Sequence, residues 1–162
     1  MANHVENQIT VIGNQAALAE FQHIFSNIED GIKTASFLPP SNDDDYQSRN
    51  WMIEHVGAKW AYIEDAEENW VKIVSAWSSI FPFVQQLGSH LQSLDPSVRL
   101  ELTYIDEAYN FAGAAVFTEN GWNDEEADSA FFENFFTMRE ISAEDEYYSI
   151  QELINSWVKE MI

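Results

Sequence analysis

The chain has 162 residues, no cysteine, and 28 Asp and Glu against 7 Lys and Arg, a formal net charge of −21. That composition excludes disulfides, thiolate metal centres and Cys nucleophiles, and it disfavours bare nucleic acid and anionic membrane surfaces as direct partners. A hydrophobic content of 46%, with 6 Trp, 6 Tyr and 11 Phe, excludes a disordered acidic chain and predicts one folded domain.

Residues 5–12 read as a strand, because Val5, Ile9 and Val11 alternate with Glu6, Gln8 and Thr10. Gly13 breaks it and Asn14 suits a helix N-cap. Leu18, Phe21, Ile24, Phe25 and Ile28 then follow the spacing of an amphipathic helix, ended by Glu29-Asp30-Gly31. Residues 31–57 read as an insertion: an extended piece at 32–38, a breaker and turn cluster from Pro39 to Asp45, and a short helix at 47–55 closed by Gly57. Two strands are expected at 60–63 and 71–77, joined by the acidic segment 64–69.

Pro82 opens a second amphipathic helix, with Phe83, Val84, Leu87, Leu91 and Leu94 on one face and Asp95-Pro96 as its stop. Val98, Leu100, Leu102 and Tyr104 alternate as a strand, and a small-residue strand at 109–117 returns after Asp106-Glu107. Ten acids and one base, Arg139, lie between Glu119 and Glu146. Phe131, Phe132, Phe135 and Phe136 sit inside that run at helical spacing. The last segment starts with a capping arrangement at Ser142 and carries Ile150, Leu153, Ile154, Trp157, Val158 and Met161 on one face.

The first 118 residues therefore predict an α+β ferredoxin-like sandwich, two helices on an antiparallel sheet, with one added strand. Residues 119–162 predict an acidic, mainly helical extension docked through Phe131, Phe135, Leu153, Ile154 and Trp157.

Asn50-Trp51 through Gly57-Ala58-Lys59-Trp60 follows the pattern N-W-x-x-x-x-x-G-x-K-W. With Ser75-Ala76-Trp77-Ser78, Leu102-Thr103-Tyr104 and Asn110-Phe111-Ala112-Gly113, this ordered set resembles the YubB-like ferredoxin-like domain of bacteriophages and plasmids. The likeness spans residues 3–117 and departs at the opening, where His4 and Val5 replace the family's Trp and Cys. It implies a fold and a mobile-element setting, and it carries over no catalytic residue.

Several side-chain groups invite a chemical role. Trp51, Trp60, Trp70 and Trp77 suit a stacking platform or, more simply, core packing. Lys59 suits a specific polar role or an ion pair with a nearby carboxylate. The four His are scattered, and H-E-x-x-H, P-loop and G-x-S-x-G patterns are absent from the sequence. Asp43-Asp44-Asp45 and the run 123–128 lack EF-hand alternation and read as solvated acidic loops rather than cation sites. No enzyme, cofactor or metal is therefore expected.

The charge exceeds what solubility alone requires of a small domain, a net magnitude of about 2–8. It points to a basic protein partner, a host nuclease or CRISPR effector, met by Asp124, Glu125, Glu126, Asp128, Glu144, Asp145 and Glu146 as a nucleic-acid mimic. The alternative is an adaptor or assembly module whose acids serve solubility. The opening lacks a basic n-region, and no apolar run approaches the ~20 residues of a membrane span, so the cytoplasm of a bacterial host is the expected location.

Overall fold

Alternation and capping set the first unit of the fold. The structure, a computed structural model, describes residues 3–26, 32, 35–39 and 45–162. In strand β1 (His4–Ile12), Val5, Asn7, Ile9 and Val11 are buried on one face. The Asn14 side chain accepts a hydrogen bond from the Ala17 N–H at 3.0 Å and starts helix α1 (Gln15–Ile24). Its apolar stripe buries Phe21 and Ile24, with Phe25 just beyond. The expected positions of Ile28 and of the 29–31 stop lie outside the described residues.

The insertion needs a correction. Residues 35–38 form a turn, closed by Leu38 N–H donating to the Ala35 carbonyl at 3.1 Å, rather than an extended piece. Helix α2 (Asp45–His55) follows and buries Trp51 and Met52. The Trp51 indole donates to the Pro39 carbonyl at 3.1 Å. Gly57 stands at φ +99°, and a Cβ there would meet Pro82 Cδ at 2.6 Å, so both the turn and the packing require glycine.

Strand β2 (Ala61–Ala66) extends through Glu64 and Asp65, past the expected end at Ile63, with a register shift between Ile63 and Asp65. Strand β3 (Trp70–Ala76) returns beside it, and helix α3 (Phe81–Gln92) starts with Pro82 in its first turn. Asp95 ends that unit. Its carboxylate accepts from the Asn14 N–H at 2.7 Å and from the Ser97 N–H and hydroxyl at 3.0 and 2.8 Å. These bonds, that of Asn14 first, hold its pKa below the ordinary value. Strands β4 (Arg99–Asp106), β5 (Phe111–Thr118) and β6 (Gly121–Asp128) then meander outward.

The six strands form one antiparallel sheet in the order β2-β3-β1-β4-β5-β6. Helices α1 and α3 cover one face with a core that includes Phe21, Phe83, Leu87, Leu100 and Leu102. Helices α4 (Ser129–Met138) and α5 (Glu146–Glu160) occupy the other face, where Ile150, Ile154, Val158 and Phe132 pack on Ile105, Ala112, Ala114 and Val116. The small residues of β5 let α5 sit close to the sheet. This α+β architecture is compatible with a ferredoxin-like fold.

The extension departs from expectation in two ways. Gly121–Asp128, expected as part of a helical extension, is the edge strand β6, because its backbone pairs residue by residue with β5 from Thr118↔Gly121 to Phe111↔Asp128. In α4, Phe132 is the buried anchor, whereas Phe131 is 43% exposed. Ile154 is buried, and Leu153 and Trp157 are half-buried against the same cluster.

Candidate functional site: an acidic edge and an acid–aromatic cleft

The acids expected to meet a partner are held in two stretches of chain, β6 and the 3-10 turn that leads into α5. Asp124, Glu125, Glu126 and Asp128 belong to β6, an edge of the sheet. Trp122 packs with the α1/α3 core and Ala127 with the α4/α5 cluster. By the alternation of a strand, Asp124, Glu126 and Asp128 therefore share the first face and Glu125 takes the second.

Two of these acids also have local tasks. The Tyr104 hydroxyl donates to Glu126 at 2.5 Å, and Asp128 caps α4 by accepting from the Phe131 N–H at 3.0 Å. Asp124 and Glu125 are exposed. Gly113 makes this junction possible, since a Cβ there would strike the Tyr104 ring and lie 2.7 Å from the Glu125 carbonyl oxygen.

Glu144 and Asp145 lie in a 3-10 turn and Glu146 opens α5. Negative charge is favourable at that helix start, and the Ser142 hydroxyl donates to Asp145 at 3.0 Å. Asp128 pairs with Phe111, where β5 begins after the turn between β4 and β5, and the Glu146 carboxylate contributes to raising the pKa of Tyr109 in that turn. Asp124 and Glu125 extend away from that turn along the edge.

Lys59 is exposed between α2 and β2 and has no ion-pair partner among the described residues. The four tryptophans do not form one platform: Trp51 is buried, Trp60 and Trp70 are half-buried, and Trp77 is 49% exposed in a left-handed backbone conformation at φ 69°. Asp43 and Asp44 lie outside the described residues. The 123–128 run is strand, which spreads its carboxylates over two faces instead of converging them. Among the described residues, no group of three or more His, Asp or Glu is placed to hold a metal ion, and no helix is long and apolar enough to cross a membrane.

A second site was missed by sequence reasoning. On the sheet face beside α5, a cleft of about 250 Å³ is lined by the carboxylates of Glu6, Glu64 and Glu107 and the rings of Tyr62, Tyr109 and Tyr147. Val74 and Ile105 give it apolar surface, and none of its lining residues is Lys or Arg. Glu6 is fixed by the Tyr147 hydroxyl, which donates to it at 2.5 Å and accepts from Gln151 Nε2 at 3.0 Å. Glu107 accepts from the His4 N–H at 2.8 Å. Tyr62 is 48% exposed and stacks on Trp60 at 5.9 Å between ring centres.

Tyr109 reaches the cleft through a backbone at φ 56°, uncommon for an aromatic residue. Asp106 locks that turn. Its fully buried carboxylate accepts from the N–H groups of Ala108 and Asn110, both at 3.1 Å, and from Asn110 Nδ2 at 2.9 Å.

Burial and neighbouring carboxylates raise three tyrosine pKa values. For Tyr104 the causes are burial and then Glu126; for Tyr147, burial and then Glu6; for Tyr109, burial and then Glu146 and Glu6. A raised folded-state pKa means that the neutral phenol contributes stability in full below the unfolded value of about 10, and that this is lost as pH rises toward the folded value. In an alkaline titration followed by tyrosinate absorbance, these three rings are expected to ionise late and together with unfolding. Ionisation of all six tyrosines near pH ~10 with native circular dichroism would contradict the assignment.

No family model, curated protein or solved structure matches the chain.

Proposed function

We propose that the chain is a non-enzymatic, acidic binding protein of a bacteriophage or plasmid, with a ferredoxin-like core of the YubB-like type. Acting in the cytoplasm of the bacterial host, it inhibits a nucleic-acid-handling or defence protein, a nuclease or CRISPR effector, by occupying its basic surface. The observation that carries this reading is the β6 edge, where four of the five residues from Asp124 to Asp128 are acids on a paired strand. A strand rises about 3.3–3.4 Å per residue, so the four acids of this edge stand on average about 4.5 Å apart along the strand, shared between its two faces. That is of the same order as the ~3.4 Å axial charge spacing of one strand of B-DNA. A paired strand displays these charges at fixed intervals, and the net charge of −21 steers basic partners toward it.

The test converts Asp124, Glu125 and Glu126 together to their amides. The shape is nearly unchanged, and the amide oxygen of the Glu126→Gln change still offers Tyr104 an acceptor. A basic partner recovered from host lysate should bind the amide variant several-fold more slowly and with a flatter salt dependence, while circular dichroism stays the same. Saturating DNA or RNA should displace the wild-type protein. Indifference to both the amides and the nucleic acid would favour the adaptor reading. That second reading has its own support: Glu64 and Asp65 on β2 and the acids of β6 lie on the two edge strands of the sheet, where charge prevents edge-to-edge pairing.

A further inference from the structure

The geometry points to the cleft between β1, β2 and the β4–β5 turn as a receptor for one arginine side chain of the basic partner. Its contents argue for a cation: three carboxylates, three tyrosine rings and no Lys or Arg among the lining residues. They argue further for a planar one. A guanidinium stacks on an aromatic face and, with five donors in a rigid fork, can serve two carboxylates at once. An ammonium offers a compact point charge and no face.

The size agrees. About 250 Å³ is below the ~300–1,000 Å³ typical of small-molecule pockets and accommodates a single long side chain. Val74 and Ile105 supply apolar surface for its methylenes. The receptor is also held in place before any ligand arrives. Glu6 is hydrogen-bonded to Tyr147, Tyr147 accepts from Gln151, and Tyr109 is fixed by the Asp106 turn. Pre-organisation of this kind lowers the entropic cost of binding. His4, whose Nδ1 lies 3.8 Å from Glu107, is the one cleft-lining residue able to carry positive charge.

The inference rests on the proposed function only for the basic nature of the partner, and its test does not use that partner. The 162-residue chain, isotope-labelled for amide NMR, is titrated with the blocked peptide acetyl-Gly-Arg-Gly-amide. Parallel titrations use the citrulline peptide, which is isosteric and uncharged, the leucine peptide, and spermidine. The arginine peptide is expected to shift the amide signals around Glu6, Glu64 and Glu107 and to bind at least about tenfold more tightly than the citrulline or leucine peptides.

Tyr62→Ala and Glu64→Gln alter exposed residues, so the fold should survive. Each is expected to weaken the arginine peptide about three- to tenfold. Glu119→Gln, exposed in the turn between β5 and β6 and outside the cleft, should leave it unchanged. Equal binding of arginine and citrulline peptides, shifts confined to β6, or indifference to both cleft variants would overturn the proposal. Tighter binding of spermidine at the same signals would overturn it in favour of a polyamine site. If the cleft fails these tests while the β6 amide variant still slows partner association, the arginine receptor falls and the proposed function stands.

Discussion

A chain that stops at Arg139 is expected to lose most of its thermal stability. Residues 140–162 include α5, whose Ile150, Ile154 and Val158 are buried at 0, 2 and 6% exposure. Burial contributes roughly 1.5–3 kcal/mol per such side chain, an upper figure because unfolded chains are already partly compact. Total stability for a domain is about 5–15 kcal/mol, so the three side chains alone represent a large share. The truncation also strips the cover from Ile105, Ala112, Ala114 and Val116, removes the Tyr147 bond to Glu6, and takes Trp157 away from Phe131.

At ~2–4 °C per kcal/mol for a chain of this size, the midpoint should fall by more than about 10 °C, or the cooperative transition should vanish. Thermal circular dichroism measures this directly. Ile154→Ala provides the point-mutant counterpart, expected to cost about 2–5 kcal/mol. A truncated chain melting within a few degrees of the intact one would show that α5 only rests on the sheet.

Asn7→Ala is the point substitution expected to do most damage to the sheet. Asn7 is fully buried on the α1/α3 face of β1. Its amide donates to the Val5 and Ile73 carbonyls at 3.2 and 3.1 Å and to Ser75 Oγ at 2.9 Å. Its carbonyl oxygen accepts from the Ser79 hydroxyl at 2.9 Å and the Ile80 N–H at 3.3 Å. Ile80 is the N-cap of α3 and makes no side-chain cap bond, so a residue from β1 satisfies a donor at the start of this helix.

Removing Asn7 leaves several buried groups without a partner, each at about 1–3 kcal/mol before relaxation. The expected loss is about 3–5 kcal/mol, measured by denaturant unfolding. Ser75→Ala, which removes one member while leaving the Asn7 bonds to Ile73 and Ile80, should cost about 1 kcal/mol. A loss below ~1 kcal/mol for Asn7→Ala would mean that water or repacking replaces the network.

Much of the fold was legible because burial leaves a period in the sequence. Val5, Ile9 and Val11 in β1, and Leu100, Leu102 and Tyr104 in β4, alternate because one face of each strand meets the α1/α3 core. Phe83, Leu87 and Leu91 in α3, and Ile150, Ile154 and Val158 in α5, recur at helical spacing for the same reason. Gly13, Asn14 and Pro82 marked element starts through backbone chemistry that acts within a few residues.

The candidate sites were only half legible. The acids of 124–128 and 144–146 stand out in composition, but their placement does not. Strand β6 reads W-N-D-E-E-A-D after Gly121, with poor strand formers and no apolar alternation. It is a strand because β5 offers it an unpaired edge. Asn7 likewise reads as one more polar residue in an alternating strand, although its bonds to β3 and the start of α3 place it in the core.

The acid–aromatic cleft is the clearest case of tertiary decision. Glu6, Tyr62, Glu64, Glu107, Tyr109 and Tyr147 are spread along nearly the whole chain, and none belongs to a motif. The strand order β2-β3-β1-β4 and the docking of α5 bring them to one face. Sequence by itself determined which segments hide apolar surface, since that demand is local and periodic. Which charged side chains share a cleft depends on pairing between distant strands, and only the folded sheet decides it.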